Sequence, residues 1–336
     1  MLLKQLSEAF GPPGQEDEVR NILKKEIAPH VDSFWTDTIG NLLAKKEGTS
    51  KSGPKIFLAA HMDEVALMVT GIDKNGFLKV KTLGGIDQRI LVAKTVYVGR
   101  KRIPGVIGSK AIHLLDVADM KKALQLKELF VDIGAKSKED AEQLVSLGDG
   151  VVFQSAFAQI GNNYYKGKAL DDRVGCAALV RLLQQEYPGT IYAAFTVQEE
   201  VGLRGSRVAA YGIYPDLAIV LEATAAADVP EAKSHQMATR LGQGPAVTIM
   251  DSTLVADPKL LRDLQKIAAA TQIPYQWREF AQGGTDGGML HLTGSGIPTL
   301  VISVPCRYLH APVSIIAGKD YENLIQLVHA YLKQLS

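Results

Sequence analysis

The chain has 336 residues, of which 46% are hydrophobic and 22% are charged, the proportions of an ordinary soluble globular protein with room for one large domain or two. Its 37 Lys and Arg residues balance 36 Asp and Glu residues, and the resulting net charge of +1 gives no field that favours nucleic acid. No apolar stretch is long enough to span a membrane, the N-terminus lacks a signal-peptide pattern, and Cys176 and Cys306 are too few for a disulfide framework. We therefore expect a cytoplasmic protein that binds neither nucleic acid nor membranes.

The first 60 residues alternate between helical and strand-like patterns. An opening helix, a turn at Gly11–Gly14 and a second helix are predicted over residues 1–30, because apolar residues recur at helical spacing between positions 19 and 27. Strands are predicted around residues 31–35 and 41–45. A third strand, at residues 55–60, runs directly into His61-Met62-Asp63-Glu64.

The pattern changes between residues 70 and 163. Short β-like runs are separated by glycine turns, and one amphipathic helix begins after Ser137, a suitable N-cap, and ends near Leu147. Because α/β patterning stops before this segment and resumes after it, residues 70–163 are predicted to form a small β-rich domain. It would be inserted into a discontinuous domain made of residues 1–69 and 164–336.

The remaining chain returns to strands and helices in alternation. Helices are predicted at residues 174–185, 258–270, 289–292 and 321–335, and apolar strands at 191–197, 217–221 and 298–304. Such alternation predicts an α/β fold with a mainly parallel sheet and helices on both faces. In such sheets the functional residues lie at the carboxyl ends of the strands.

Four of these apolar strands lead into residues that can bind a metal, namely His61, Glu199-Glu200, Glu222 and His310, and Asp171 opens a helix. Each is ordinary alone, since a single His at a strand end is usually a surface or core residue and adjacent aspartates usually cap helices. Together they suit two zinc-like ions that are bridged by a carboxylate and share a hydroxide. One Glu of the pair could then serve as the general base, and Asp63 could orient His61.

Several longer segments carry a family resemblance. Residues 60–65, 168–175, 197–205, 283–286 and 307–310 occur in this order, accompanied by Asp37-Thr38-Ile39-Gly40-Asn41 and by residues 104–108. Together they resemble the M42 family of dinuclear metallo-aminopeptidases, which includes glutamyl and tetrahedral (TET) aminopeptidases. The resemblance covers essentially the whole chain. It implies a dinuclear zinc-peptidase fold and an enzyme that removes N-terminal residues from short peptides, with acidic residues as one candidate for the preferred N-terminal residue.

The resemblance also implies a role for each site residue. Asp171 would bridge two divalent ions, Zn²⁺ or Co²⁺, and a cis peptide would follow it. The other residues would divide between the two ions and the reaction: His61 and Glu222 on one ion, Glu200 and His310 on the other, Glu199 as general base and Asp63 as the residue that orients His61. Two residues depart from the family pattern, Glu222, where many members have Asp, and Ala66, where glycine is usual.

For residues 70–163 the resemblance implies a PDZ-like insert that forms homo-oligomers, either dimers or hollow dodecamers. The preferred N-terminal residue and the native metal stay open. Arg307, Tyr308 and the loop Gly283–Gly288 are the candidates for the substrate pocket.

Two other functions compete with this interpretation. A glycosidase would hold two carboxyl groups roughly 5–9.5 Å apart across a sugar ring, whereas adjacent strand-end glutamates beside two histidines fit metal-assisted hydrolysis better. The two tryptophans, Trp35 and Trp277, also offer little surface for stacking sugars. A non-catalytic scaffold would have lost a ligand or the base, and here every position is filled.

Overall fold

The structure, a computed structural model, describes residues 1–117, 122–278 and 283–335. Residues 118–121, 279–282 and 336, which the prediction assigned to the two domains, lie outside the described residues. The helices within them are α1 Leu2–Glu8, α2 Asp17–Ile27, α3 Lys138–Leu144, α4 Leu170–Leu183, α5 Ser206–Ala209, α6 Pro258–Thr271, α7 Gly287–Leu290 and α8 Gly318–Gln334. The strands are β1 Ser33–Thr36, β2 Leu42–Lys46, β3 Lys55–His61, β4 Ala66–Ile72, β5 Leu78–Leu83, β6 Thr95–Val98, β7 Ile103–Ser109, β8 Leu129–Asp132, β9 Gly150–Phe153, β10 Ala158–Ile160, β11 Tyr164–Gly167, β12 Thr190–Thr196, β13 Leu217–Ala225, β14 Ala246–Thr248, β15 Gln276–Arg278, β16 Thr299–Arg307 and β17 Ser314–Ala317.

The large sheet is mixed, so the prediction of a mainly parallel sheet is wrong. Its main path is β1-β2-β12-β3-β13-β16-β17-β11-β10, and on this path neighbouring strands pair parallel only among the central four, β12, β3, β13 and β16. Beside the path, β14 pairs parallel with β15 and antiparallel with β16. The flanking strands pair antiparallel, because short connections such as those from β1 to β2 and from β16 to β17 reverse the chain without a crossover. The parallel centre is the part that brings strand ends together.

Helices cover both faces of this sheet, as predicted. Along β3 the side chains of Ile56, Leu58 and Ala60 pack into a core with α1, α2, α4, α6 and α8. The alternate residues, Phe57 and Ala59, face a smaller core that includes residues of α5 and α7. Because both faces are buried, β3 reads as a continuous apolar run rather than an alternating one.

A separate closed barrel, β4-β5-β8-β7-β6-β9, interrupts the sheet between residues 66 and 153. It has its own apolar core, and its helix α3 begins as predicted, with Ser137 Oγ accepting a hydrogen bond from the Asp140 amide at 3.2 Å. Strands β10 and β11, which follow it, pair with the large sheet. The division of the chain into two domains at residues 70 and 163 stays a prediction.

Several predicted boundaries shift in the structure, among them the end of α3, which is Leu144 rather than Leu147, and the start of α8, which is Gly318 rather than residue 321. Helix α4 begins at Leu170 rather than at residue 174, and α7 is a single turn at Gly287–Leu290. Strand β13 does not end before Glu222 but continues to Ala225, because its pairing with β16 extends through Cys306. In the part of the chain that the structure describes, no helix has the length and apolar character needed to cross a bilayer. The cytoplasmic location stays a prediction.

Candidate metal centre

The carboxyl ends of the central parallel strands bring the predicted residues to one edge of the sheet. His61 is the last residue of β3 and stands beside Thr196, the last residue of β12, so the turn that carries Glu199 and Glu200 begins next to the histidine. Glu222 lies on β13, the neighbour of β3 on its other side. The topology therefore places these side chains close together although they are distant in sequence.

Asp171 stands between the two histidines. Its Oδ1 lies 3.2 Å from His61 Nε2, and its Oδ2 lies 3.3 Å from His310 Nε2. The peptide bond from Asp171 to the next residue is cis, as the resemblance implies. A carboxylate that offers one oxygen to each imidazole has the arrangement that a bridging ligand requires.

Each histidine also has its own glutamate. Glu222 Oε2 lies 3.6 Å from His61 Nε2, and Glu200 Oε2 lies 3.3 Å from His310 Nε2. The potential ligand atoms of His61, Asp171 and Glu222 lie within 4.8 Å of one another, as do those of Asp171, Glu200 and His310. The side chain of Glu222, one of the two residues that depart from the pattern implied by the resemblance, thus reaches the first group.

The electrostatics of the site fit a bound cation. Burial raises the pKa of Glu200 to about 8 and holds the pKa of Glu222 well above its usual range. Burial lowers the pKa of His310, but Asp171 and Glu200 outweigh it and raise that pKa to about 9. Glu200 Oε1 and Glu222 Oε1 are buried and accept no hydrogen bond from any described residue. Buried carboxylate oxygens that lack partners are costly unless a cation binds them.

Asp63 is fully buried and supports both halves of the site. Its backbone oxygen lies 3.2 Å and its Oδ1 3.5 Å from His61 Nδ1. The same carboxylate accepts hydrogen bonds of 3.0 Å from the amides of Glu199 and Glu200. The sequence predicted the contact of Asp63 with the imidazole but not the two hydrogen bonds from backbone amides.

Glu199 lies beside these residues without belonging to either group of three that contains Asp171. Its carboxylate lies within 4.8 Å of ligand atoms of His61 and Glu200. Burial holds the pKa of Glu199 well above its usual range, and the charge of Glu200 adds to this effect. In its ionised form, a carboxylate with a raised pKa is a stronger proton acceptor than an ordinary one, which suits a general base.

A cavity of about 400 Å³ opens over these residues, a volume typical of small-ligand sites. Gly283, Gly284 and Thr285 line it, as predicted for the glycine-rich loop. The expectation for Arg307 is wrong, because its guanidinium makes two hydrogen bonds, of 2.8 and 2.7 Å, to Asp228 and does not line the cavity. Tyr308 does not line it either.

The barrel contributes a part of the wall that sequence reasoning missed. Gly85, the second residue after β5, lines the cavity. A Cβ built on Gly85 would lie 3.6 Å from His310 Nδ1. A Cβ on Gly84 would lie only 3.2 Å from Glu200 Oε2. The Gly-Gly pair was the available signal, since two adjacent glycines often mark a close approach of the backbone.

Comparison with known proteins identifies the family. The sequence model of the M42 glutamyl aminopeptidases matches residues 40–327. A lysyl aminopeptidase from Pyrococcus furiosus is 32% identical over 342 residues, which cover 99% of this chain and 96% of the relative.

Solved structures agree over the same length. A TET aminopeptidase from a marine sediment archaeon of the Thaumarchaeota superposes with a TM-score of 0.96 at 38% identity, covering 100% of this chain and 96% of that one. The TET1 peptidase of Pyrococcus horikoshii superposes with a TM-score of 0.89 at 34% identity, covering 99% and 98%. These findings decide against the glycosidase and the non-catalytic scaffold. The chain belongs to the M42 glutamyl aminopeptidase family and is a hydrolase that acts on peptide bonds.

Proposed function

We propose that the protein is a metal-dependent aminopeptidase that uses two divalent ions, Zn²⁺ or Co²⁺, to remove N-terminal residues from short peptides. The observation that carries the proposal is the placement of Asp171, which offers one carboxylate oxygen to each of the two histidines. In this proposal His61 and Glu222 hold one ion, and Glu200 and His310 hold the other.

The chain's own residues divide the remaining work. Two ions held there would lower the pKa of a water molecule and polarise the scissile carbonyl. Glu199 takes the proton of the attacking water and returns it to the departing amine, so that the proton is conserved over the reaction. Asp63 keeps the imidazole of His61 in one orientation through its contacts with Nδ1.

We further propose a preference for acidic N-terminal residues. Its support is the family's glutamyl aminopeptidase description and the cationic side chain of Arg278 in the cavity wall. The guanidinium lies 3.8 Å from the carboxylate of Asp251, which balances part of its charge. The lysyl aminopeptidase relative makes a basic preference the competing outcome.

The barrel is proposed as a PDZ-like insert through which copies of the chain form a dimer or a dodecamer. The TET1 peptidase of Pyrococcus horikoshii can assemble into a tetrahedron or a large octahedral shell. On the barrel of this chain, Ile112, Leu114 and Val117 are 70%, 58% and 72% exposed, and apolar side chains of this kind suit a contact between copies. Sedimentation of the purified chain distinguishes monomer, dimer and dodecamer.

A panel of aminoacyl-p-nitroanilides with acidic, basic and apolar residues tests the function. We expect release of p-nitroaniline that chelation abolishes and that added Zn²⁺ or Co²⁺ restores, with the highest kcat/KM on the acidic substrates. Hydrolysis that survives complete removal of metal would contradict the metal-dependent mechanism. A highest kcat/KM on a basic or apolar substrate would contradict the acidic preference alone.

A further inference from the structure

The turn that carries Glu199 is held by side-chain oxygens from three segments distant in sequence. Four consecutive backbone amides of this turn each donate to such an oxygen: Val197 to Asn41 Oδ1 at 3.0 Å, Gln198 to Glu16 Oε1 at 3.2 Å, and Glu199 and Glu200 to the two oxygens of Asp63 at 3.0 Å. Asp63 also contacts His61, but among the described residues Glu16 belongs to no group of potential metal ligands, and Asn41 carries neither a carboxylate nor an imidazole. Their place in the site therefore needs a separate explanation.

Glu16 is a buried acid whose carboxylate is fixed from two sides. Its Oε1 accepts hydrogen bonds from the Gln198 amide and, at 2.7 Å, from the Gly14 amide. The second bond comes from the glycine-proline turn that precedes α2, and only 3% of the residue is exposed. The turn after β12 is thus tied to the N-terminal segment through one oxygen atom.

Asn41 ties the same turn to the segment before β2. Its Oδ1 accepts from the Val197 amide, while its Nδ2 donates to Asp37 Oδ2 at 2.8 Å and to the Gly205 carbonyl at 2.9 Å. A Cβ on Gly205 would lie 2.4 Å from Asn41 Oδ1, so the close approach of the two segments requires glycine there. Asn41 therefore closes the turn at both of its ends.

The backbone between these ends is in a conformation that needs such support. Gln198, the residue before Glu199, has a φ of 56°, which is a left-handed conformation that costs free energy for any residue with a Cβ. The backbone amide of Gln198 donates the hydrogen bond that Glu16 Oε1 accepts. Without that acceptor the local backbone would relax, and the carboxylate of the next residue would move with it.

We propose that Glu16 and Asn41 are positioning residues for the general base: they hold the amides of residues 197 and 198 and thereby fix the direction of the Glu199 carboxylate. This inference rests on the proposed function, because it takes Glu199 as the base. Both residues act through the backbone rather than through substrate. Since a misplacement of about 1 Å can cost 10²-fold in rate, their loss should lower kcat and leave KM nearly unchanged.

The first experiment compares Glu16→Ala with Glu16→Gln. The amide oxygen of Gln can still accept from both backbone amides, whereas Ala removes the acceptor. We expect kcat to fall about 10- to 100-fold in Glu16→Ala, to recover to within about 3-fold of the native value in Glu16→Gln, and KM to change by less than about 2-fold. The metal content, measured by mass spectrometry, should equal that of the native protein because all five proposed ligands are present.

Asp320 supplies a matched control. It is also a buried acid that accepts from two backbone amides, those of Gly242 at 2.6 Å and Gly244 at 2.8 Å, but it lies outside the catalytic turn. Asp320→Ala should lower thermal stability while kcat stays within about 2-fold of the native value. An equal fall of kcat in Asp320→Ala and Glu16→Ala would show a general loss of stability and would overturn the proposal.

A double-mutant cycle tests whether Glu16 acts through Glu199. In the Glu199→Gln background, Glu16→Ala should lower the residual kcat by less than about 2-fold, because the group that it positions is already gone. The same fold-loss in both backgrounds, or a native kcat in Glu16→Ala, would refute the positioning role. Failure of the function itself looks different: Glu199→Gln would then keep the native rate.

The variant Asn41→Asp provides a second test of the proposal if Glu16→Ala does not fold. The substituted side chain retains an acceptor for the Val197 amide but places an oxygen where Nδ2 donated to the Gly205 carbonyl. We expect a fall of about 10-fold or more in kcat with an unchanged KM and unchanged metal content. A native kcat in this variant would remove Asn41 from the proposal.

Discussion

Replacing Gly84 by alanine should perturb the metal centre from the side of the barrel. Gly84 has a φ of +87°, and an added Cβ would lie 2.9 Å from Val65 Cγ1, 3.2 Å from Glu200 Oε2 and 3.3 Å from Glu200 Cβ. Carbon atoms in good contact lie about 3.5–4.0 Å apart, so the neighbours must move by about 0.5 Å or more. Because Glu200 is a proposed ligand, part of this movement falls on the centre itself.

Gly148→Ala isolates the backbone part of this effect. Gly148 also lies in the inserted segment and has a φ of +90°, but an added Cβ would meet no atom within 4 Å. The positive φ alone should cost each variant about 1–2 kcal/mol of folding free energy, because alanine is disfavoured there. The steric contact with Glu200 is present only in Gly84→Ala.

The comparison is made with kcat/KM on the best p-nitroanilide substrate, metal content and urea unfolding. We expect a larger shift of the urea midpoint in Gly84→Ala, because the contacts with Val65 and Glu200 add to the backbone cost, and a fall of about 10-fold in kcat/KM with weaker metal binding in that variant alone. Equal kcat/KM in the two variants would refute the reasoning, since it would mean that the barrel backbone does not constrain Glu200.

Three further substitutions test individual groups. Glu199→Gln should lower kcat by about 10²-fold or more at an unchanged metal content, because only the base is lost, and an unchanged rate in the metal-loaded variant would remove Glu199 from that role. His310→Ala should lower the number of ions bound per chain, so a native metal stoichiometry would contradict its assignment as a ligand. Lys168→Met should cost about 1.5–3 kcal/mol in urea unfolding, because the buried Glu64 loses the ammonium that contacts both of its oxygens at 2.7 and 2.8 Å and keeps, among the described residues, only the Arg173 guanidinium, at 3.4 Å. The exposed pair of Lys4 with Glu8 is the control, and Lys4→Met should cost less than about 1 kcal/mol; equal losses would contradict the buried-pair argument.

The parts of the site that the sequence predicts are those adjacent to buried strands. His61 ends one strand that is apolar on both faces, the Glu199-Glu200 pair lies in the turn after another, and parallel packing then brings such ends together. His310 entered through the same reasoning, whereas Asp171 was predicted at the start of a helix, and both lie at the same edge. Periodicity and strand ends therefore predict which side chains meet.

Contacts made by backbone groups stayed invisible to this reasoning. Asn41 lies in a segment of the family resemblance to which no role was assigned, and Glu16 lies in no such segment. Only the folded chain shows that both accept hydrogen bonds from backbone amides of the turn after β12. Gly84 was assigned to an insert with an assembly role, although it packs against Glu200. The antiparallel flanks of the sheet were missed for a similar reason, because strand direction depends on connections and not on the composition of a strand.

The order of pairing in the large sheet has a consequence for how the protein acquires activity during synthesis. The barrel comprises the continuous segment 66–153 and can close once that segment has been made. Strand β3 instead waits for β12 and β13, whose pairing residues begin at positions 190 and 217, and the centre is complete only when residue 310 arrives. Pairing over such sequence distances is slow. During refolding, recovery of peptidase activity should therefore lag behind formation of the barrel, and a chain arrested before β16 would expose the edge of β13 to aggregation.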